Sequence, residues 1–141
     1  MTVINLADEH LAINKKVLEN NKYGIPFEFE DNQDNSLPNE LSGRIFQVRG
    51  PGTPVTLGPK GEDSHVGFIQ IDLISPKNNS LKELLDKASE ISNSFSAGQR
   101  LTEKQTQLRI TSLTTTSPRL DGNYRKISIT ANYEMRVNRV Y

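Results

Sequence analysis

The residues best suited to proton transfer or metal binding near neutral pH are His10 and His65, the two histidines of the chain. His10 follows Asp8 and Glu9, and His65 stands just before an apolar run. A metal site usually draws three or four ligands at closed spacings, and neither histidine has such companions. Counting alone leaves a Ser-His-Asp arrangement open, but there is no G-x-S-x-G elbow to expose a nucleophile. The glycine-rich pieces G-P-G at 50–52 and G-P-K-G at 58–61 lack the phosphate-loop form and open onto no helical pattern. Their prolines also remove amide donors that a phosphate cradle uses. The acidic stretch from Glu28 to Glu40 lacks the alternating D-x-[DN]-x-[DN]-G spacing of a calcium loop. The absence of cysteine excludes disulfides, thiolate metal sites and cysteine nucleophiles. No catalytic, metal or cofactor site is therefore expected, and the chain does not read as an enzyme. One cationic group is left, Arg119, Arg125, Lys126 and Arg136, joined by Arg139. It reads either as a solvated strand face or as the lining of a channel or interface. No interleaved aromatics make it a single-strand stacking platform.

These cations sit on or beside the longest regular pattern, Tyr124 to Val137. Ile127, Ile129, Ala131, Tyr133, Met135 and Val137 alternate with Lys126, Ser128, Thr130, Asn132, Glu134 and Arg136. Strand side chains point to opposite faces with period two, so this is one strand with an apolar and a polar face. At about 3.3 Å per residue it runs about 45 Å. The Asp121-Gly122 turn signal precedes it, within a turn-rich link from Thr115 to Asn123.

Upstream, residues 3–21 read as an amphipathic helix with Ile4, Leu11, Val17 and Leu18 at helical spacing. Asp8 and Glu9 lie early and Lys15 and Lys16 late, as the helix dipole favours. Ile25–Glu30 is a short alternating strand with Pro26 near its start. Residues 31–42 read as a flexible polar loop. Gly43–Gly50 is a strand, and residues 51–64, rich in proline and glycine, read as a loop or an extended hairpin arm around Val55 and Leu57. Val66–Ser75 carries apolar residues on both faces and is expected at the sheet centre. Ser80 and Glu83 have capping-box spacing ahead of a helix whose stripe is Leu81, Leu84, Leu85, Ala88, Ile91 and Phe95, with Gly98 as its stop. Leu101 begins a short segment. Gln107–Thr114 is a strand in which Leu113 falls out of phase with Leu108 and Ile110. The order of elements predicts a single α+β domain over 1–141, with a mostly antiparallel sheet, two helices on one face and a long C-terminal strand.

The composition constrains this fold. With 34% hydrophobic and 6% aromatic residues the core is lean, as in subunits whose burial is completed by neighbours. Net charge is zero, so no global field attracts nucleic acid. The charge is uneven, however. Residues 1–40 hold eight acids against Lys15, Lys16 and Lys22, whereas residues 119–141 hold five basic residues against Asp121 and Glu134. Either the charges are scattered over solvated faces, or the two ends are complementary between neighbouring subunits. The N-terminus shows no signal-peptide pattern and no apolar run is long enough for a bilayer, so a soluble, intracellular protein is expected.

Three stretches together resemble the bacteriophage tail-terminator family, the lambda-like minor tail proteins. They are the N-terminal helix followed by I-P-F-E-F-E, the run H-V-G-F-I-Q-I-D-L-I-S-P leading into a Leu/Ala-striped helix, and the closing unit P-R-L-D-G-N-Y-R-K-I-S-I-T-A-N-Y-E-M-R-V. The resemblance implies a structural protein of a long-tailed phage (a siphovirus). It implies a homo-oligomer, a hexameric ring that caps the tail tube, ends its polymerisation and offers a head-joining surface. The partners it implies are the tail-tube protein and a head-completion (neck) protein, with DNA passing through the lumen without sequence-specific binding. The implied location is the head-proximal end of the virion tail, after assembly in the host cytoplasm. On this reading Val55, Leu57 and Lys60 are candidates for a subunit- or tube-docking loop, and Arg119, Arg125, Lys126 and Arg136 for lumen or interface charges. A tail-tube or connector protein of related architecture is the alternative within virion parts. A small enzyme using His65 with a carboxylate is the alternative outside them.

Overall fold

The computed structural model describes residues 5–18, 27–28, 40–55, 61–104 and 106–138. In chain order these form α1 (Leu6–Leu18), β1 (Phe27–Glu28), β2 (Ser42–Pro54), β3 (Glu62–Pro76), α2 (Leu81–Ser94), β4 (Arg100–Glu103), β5 (Thr106–Thr115), β6 (Arg119–Asp121) and β7 (Tyr124–Asn138). The strands make one seven-stranded sheet in the order β1-β2-β3-β7-β5-β4, with β6 beside β7. All pairings are antiparallel except the short β1–β2 contact. The α+β class, the antiparallel sheet and the long last strand are as the sequence implies.

The sheet is centred on β3 and β7, which pair along all 15 residues of each, from Glu62↔Asn138 to Pro76↔Tyr124. Period-two alternation then decides the core. Ile69, Ile71 and Leu73 of β3, and Ile127, Ile129, Ala131, Tyr133, Met135 and Val137 of β7, are each at most 2% exposed. Leu84, Ala88 and Ile91 from α2, Phe95 just past its end, and Ala12 and Ile13 from α1 join the same cluster. Both helices therefore cover one face. α2 lies over β3, β7 and β5, and α1 over β4 and β5.

Several local expectations are corrected. In α1 the sheet-facing residues are Asp8, Glu9, Ala12 and Ile13, while Leu11 is 48% exposed. The i, i+4 pairs 8/12 and 9/13 set that face, because Arg49 on β2 supplies a counter-charge for Glu9. Asn5 caps α1, its Oδ1 accepting the Asp8 N–H at 3.1 Å. Ser80 stands at the α2 N-cap but its side chain makes no capping bond, so no capping box forms. The stripe is buried at Leu84, Ala88, Ile91 and Phe95, whereas Leu81 and Leu85 are 39% and 40% exposed. The helix stops at Ser94, ahead of Gly98. Gly98 (φ +88°) instead turns the chain into β4, and its N–H reaches the Ile110 carbonyl at 2.6 Å.

The 51–64 span is a hairpin arm: Pro51–Pro54 prolong β2 and Glu62–Ser64 begin β3. A one-residue bulge lies between Arg49 and Gly52 and contains Pro51, and Pro54 sits on the edge beyond it. Within the link expected from Thr115 to Asn123, β6 pairs with β7 through Arg119↔Lys126 and Asp121↔Tyr124. Gly122 (φ +62°) supports the tight turn that the Asp121-Gly122 pair signals. The phase slip in β5 is a bulge between Ile110 and Ser112, which returns Leu113 to the helix side opposite Ala131. The expected loop at 31–42 lies outside the described residues up to 39, and Ser42 already belongs to β2.

Candidate functional site

Among the described residues, the second face of the sheet carries no helix, and its rows follow from the registers. At one end, Arg44, Asp72 and Ser128 lie side by side across β2, β3 and β7. Asp72 is 4% exposed. Its Oδ1 accepts from Ser128 Oγ at 2.7 Å and from Gln70 Nε2 at 2.9 Å, and Lys126 Nζ lies 3.4 Å from its Oδ2. Arg119 donates to Ser128 Oγ at 3.4 Å. A buried carboxylate is stable only when paired and hydrogen-bonded, and this one is both. The cluster therefore holds the β6 hairpin against the sheet.

At the other end, Arg100, Gln107 and Arg109 on β4 and β5 meet Glu134, Arg136 and Glu62 around a cleft of about 400 Å³. Arg100 and Arg109 are direct cross-strand partners, a like-charge pairing that costs energy unless anions stand near. The ion pairs are loose. Arg109 and Arg136 share Glu134 Oε1 at 3.6 and 3.7 Å, and Arg136 lies 3.9 Å from Glu62.

Between the two clusters the face has little charge. Val48 and Val66 are 45% and 44% exposed and flank the half-buried Phe68. With Gly50, Thr111 and Asn132 they line a groove of about 390 Å³. Glu134 lines both the groove and the cleft, so the two are continuous.

The four candidate charges do not form one group. Arg119 and Lys126 come together at the Asp72 end, and Arg136 lies at the far end of β7 in the cleft. Arg125 has the parity of the helix-bearing face, opposite Ser75 and Leu120. Val55 follows β2 and is exposed, its N–H bonded to the Glu62 carbonyl at 2.9 Å. Leu57 and Lys60 lie outside the described residues.

His65 is inside β3, opposite Met135 and Gly52, rather than ahead of the strand. A Cβ at Gly52 would fall 2.6 Å from its ring, so the glycine makes room for the imidazole. The His10 side chain is outside the description. Among the described residues no group of three potential ligands gathers to hold a metal.

A polar network under α1 has no signature in the sequence. Glu9, fully buried, accepts from Arg49 Nε at 3.1 Å and from Gln47 Nε2 at 3.4 Å through Oε1, while its Oε2 has no partner among the described residues. Gln47 also donates to Tyr133 Oη at 3.0 Å. Burial raises the Tyr133 phenol pKa above 10.0, and the nearby Glu9 charge adds to the effect; the Gln47 bond and Arg49 oppose it. Gly67 leaves space for that phenol, since a Cβ there would fall 2.6 Å from Tyr133 Oη and 2.5 Å from the Val48 carbonyl. The partners come from α1, β2 and β7, far apart in the chain.

Among the described residues the surface gathers no catalytic constellation. A family model described as phage tail terminator protein matches residues 44–133, which span the sheet from β2 into β7. One solved structure shares the fold with a TM-score of 0.65 at 12% identity, over 94% of this chain and 90% of the other. At that identity the likeness concerns the fold alone. No curated protein matches the chain in sequence.

Proposed function

The chain belongs to the phage tail terminator family, structural components of the virion tail, and from that premise we propose that it closes into a ring on the tip of the tail tube. The ring, hexameric by the family resemblance, ends tube polymerisation and presents the surface that the head-completion protein joins. It sits at the head-proximal end of a siphovirus tail, is assembled in the host cytoplasm, and lets DNA pass without reading its sequence. The whole chain, 1–141, acts as one such domain.

The family match carries this reading. The distribution of exposed apolar residues supports it: Leu81 and Leu85 on α2 lie on the opposite side of the sheet from Val48 and Val66. A head-to-tail contact joins two unlike surfaces, and rings are closed by such contacts. The 51–64 arm, with Val55, Leu57 and Lys60 towards its tip, docks onto the tube. Arg119, Arg125, Lys126 and Arg136 serve as interface or lumen charges. Asp8 and Glu9 are already engaged by Lys104 and Arg49 of the same chain, so subunit complementarity draws on the other acids.

The test is the solution mass by light scattering over a range of concentration and salt, with negative-stain images of the same samples and of samples mixed with tail tubes. Closed rings, free or at tube tips, are expected. Long tubes of the protein alone would reassign it as a tube protein, and a monomer that leaves tube ends uncapped would refute the ring.

A further inference from the structure

The chemistry of the helix-free face identifies the kind of molecule that covers it. Two clefts run together there, one apolar and one cationic, joined at Glu134. The apolar part is the groove between Val48, Val66 and Phe68, and no described residue packs over it. A groove facing only water gains nothing from exposed valines, and a phosphate backbone gains nothing from them either.

The cationic part has donors to spare. The guanidinium groups of Arg109 and Arg136 lie 3.6–3.7 Å from the one carboxylate oxygen they share, whereas charge-assisted N–H···O bonds close to about 2.7–2.9 Å. Arg100 adds a third guanidinium, bonded at 3.2 Å to the neutral Gln107 amide oxygen. Three arginines against Glu62 and Glu134 leave one net positive charge in the cleft. The excess favours an anionic partner. The two carboxylates inside the cleft disfavour a polyphosphate, which would bring dense charge against them, but they tolerate single carboxylates placed between the guanidiniums.

We propose that the helix-free face binds an acidic protein segment bearing a large apolar side chain, with that side chain in the Val48–Val66–Phe68 groove and its neighbouring carboxylates on Arg100, Arg109 and Arg136. The face is thus a protein-docking surface and does not meet the DNA. The assignment stands on the surface chemistry and does not depend on the ring.

The test uses the full chain, methyl-labelled at valine and nitrogen-labelled at arginine, titrated in an NMR experiment with three probes. These are a nine-residue Glu/Asp peptide with a central leucine, the same peptide with serine at its centre, and a 20-base-pair duplex DNA. The leucine peptide is expected to shift the Val48 and Val66 methyls and the Arg109 and Arg136 Nε–H signals saturably. The serine peptide is expected to bind roughly tenfold more weakly, the scale of burying one aliphatic side chain. Arg109→Gln with Arg136→Gln, checked for an unchanged melting temperature, should weaken the leucine peptide by a similar factor and flatten its salt dependence. Equal binding of the two peptides would remove the apolar anchor and overturn the proposal. So would DNA shifting the same signals at lower concentration, which makes this a nucleic-acid face. Methyl signals that move with protein concentration alone would make it a contact between copies, and would also overturn it.

Discussion

β7 turns Ile127, Ile129, Ala131, Tyr133, Met135 and Val137 to the helices, and Lys126, Ser128, Thr130, Asn132, Glu134 and Arg136 to the open side. Every member of the first set is at most 2% exposed. In the second set only Ser128 is buried, and it is buried by hydrogen bonding rather than by apolar packing. One backbone thus supports one surface packed within the chain and another left open to solvent. The first is paid for by apolar burial within the chain, whereas the second is left with unspent donors and exposed valines.

The largest effects should come from the buried side. Ile129→Ala should cost about 3–4 kcal/mol in urea unfolding, because the site is enclosed by α2 and β3 and cannot collapse. A cost below about 1 kcal/mol would mean that the helices pack loosely and the two faces are alike.

Next in size are the places where the helix side accepts polarity. Arg49→Ala would leave the fully buried Glu9 without its charge partner. Arg49 is itself about a third exposed, which lowers the expected cost to about 2 kcal/mol. A double-mutant cycle with Glu9→Ala should return most of that loss as coupling, and a coupling near zero would show that the pair does not anchor α1. Gly67→Ala should also cost about 2 kcal/mol, since the new methyl meets a backbone carbonyl that cannot swing away.

Tyr133 ties this network to pH. Its folded pKa is raised above the unfolded value of 10.0 by burial. The folded state therefore holds the phenol proton more tightly, and the associated stability is complete below pH 10 and lost as pH rises through the folded pKa. Tyr133→Phe should flatten the fall in melting temperature above pH 10. An unchanged alkaline profile would place the titrating group elsewhere.

The smallest effect belongs to the open side. Asn132→Ala removes an exposed bond to Ser112 and should stay within about 0.5 kcal/mol. A cost matching that of Ile129→Ala would show that this face is already covered in the free protein, and the contrast between the faces would fail.

The buried half of this contrast is legible in the sequence, because strict alternation over the twelve residues from Lys126 to Val137 admits one arrangement. The bulge at Thr111 is legible too, as the phase slip before Leu113. Other features are hidden for stated reasons. β6 is three residues long and follows a Ser-Pro pair, too short for any period to show. The continuation of β2 through Gly50-Pro51-Gly52 is masked by residues that ordinarily end strands. Glu9 reads as a dipole-favoured acid on a helix surface, and its burial depends on Arg49, forty positions away. The open face is divided in the same way. Its polar residues are visible on β7, but the apolar groove arises from Val48 on β2 and from Val66 and Phe68 on β3, and only the register brings them together. Of the candidate charges, Arg119 and Lys126 meet while Arg125 turns away, a separation that strand parity allows but a charge count does not reveal.

The position of β7 also governs when the molecule can form. The central ladder joins β3 to β7, the last strand among the described residues, pairing Ile71 with Ile129 across a long stretch of chain. A ribosome releases β2, β3 and α2 well before their shared neighbour exists. Until β7 arrives, one long edge of β3 is bare and the apolar side of α2 has half its floor missing. Non-local strand pairing of this kind is slow, on the order of milliseconds to seconds, and exposes the nascent chain to wrong partners. The β6–β7 hairpin, closed by two residues at Gly122 and Asn123, is by contrast a local event. Refolding should therefore wait on the insertion of a preformed hairpin between β3 and β5, and Gly122→Val should slow the folding rate more than it speeds unfolding.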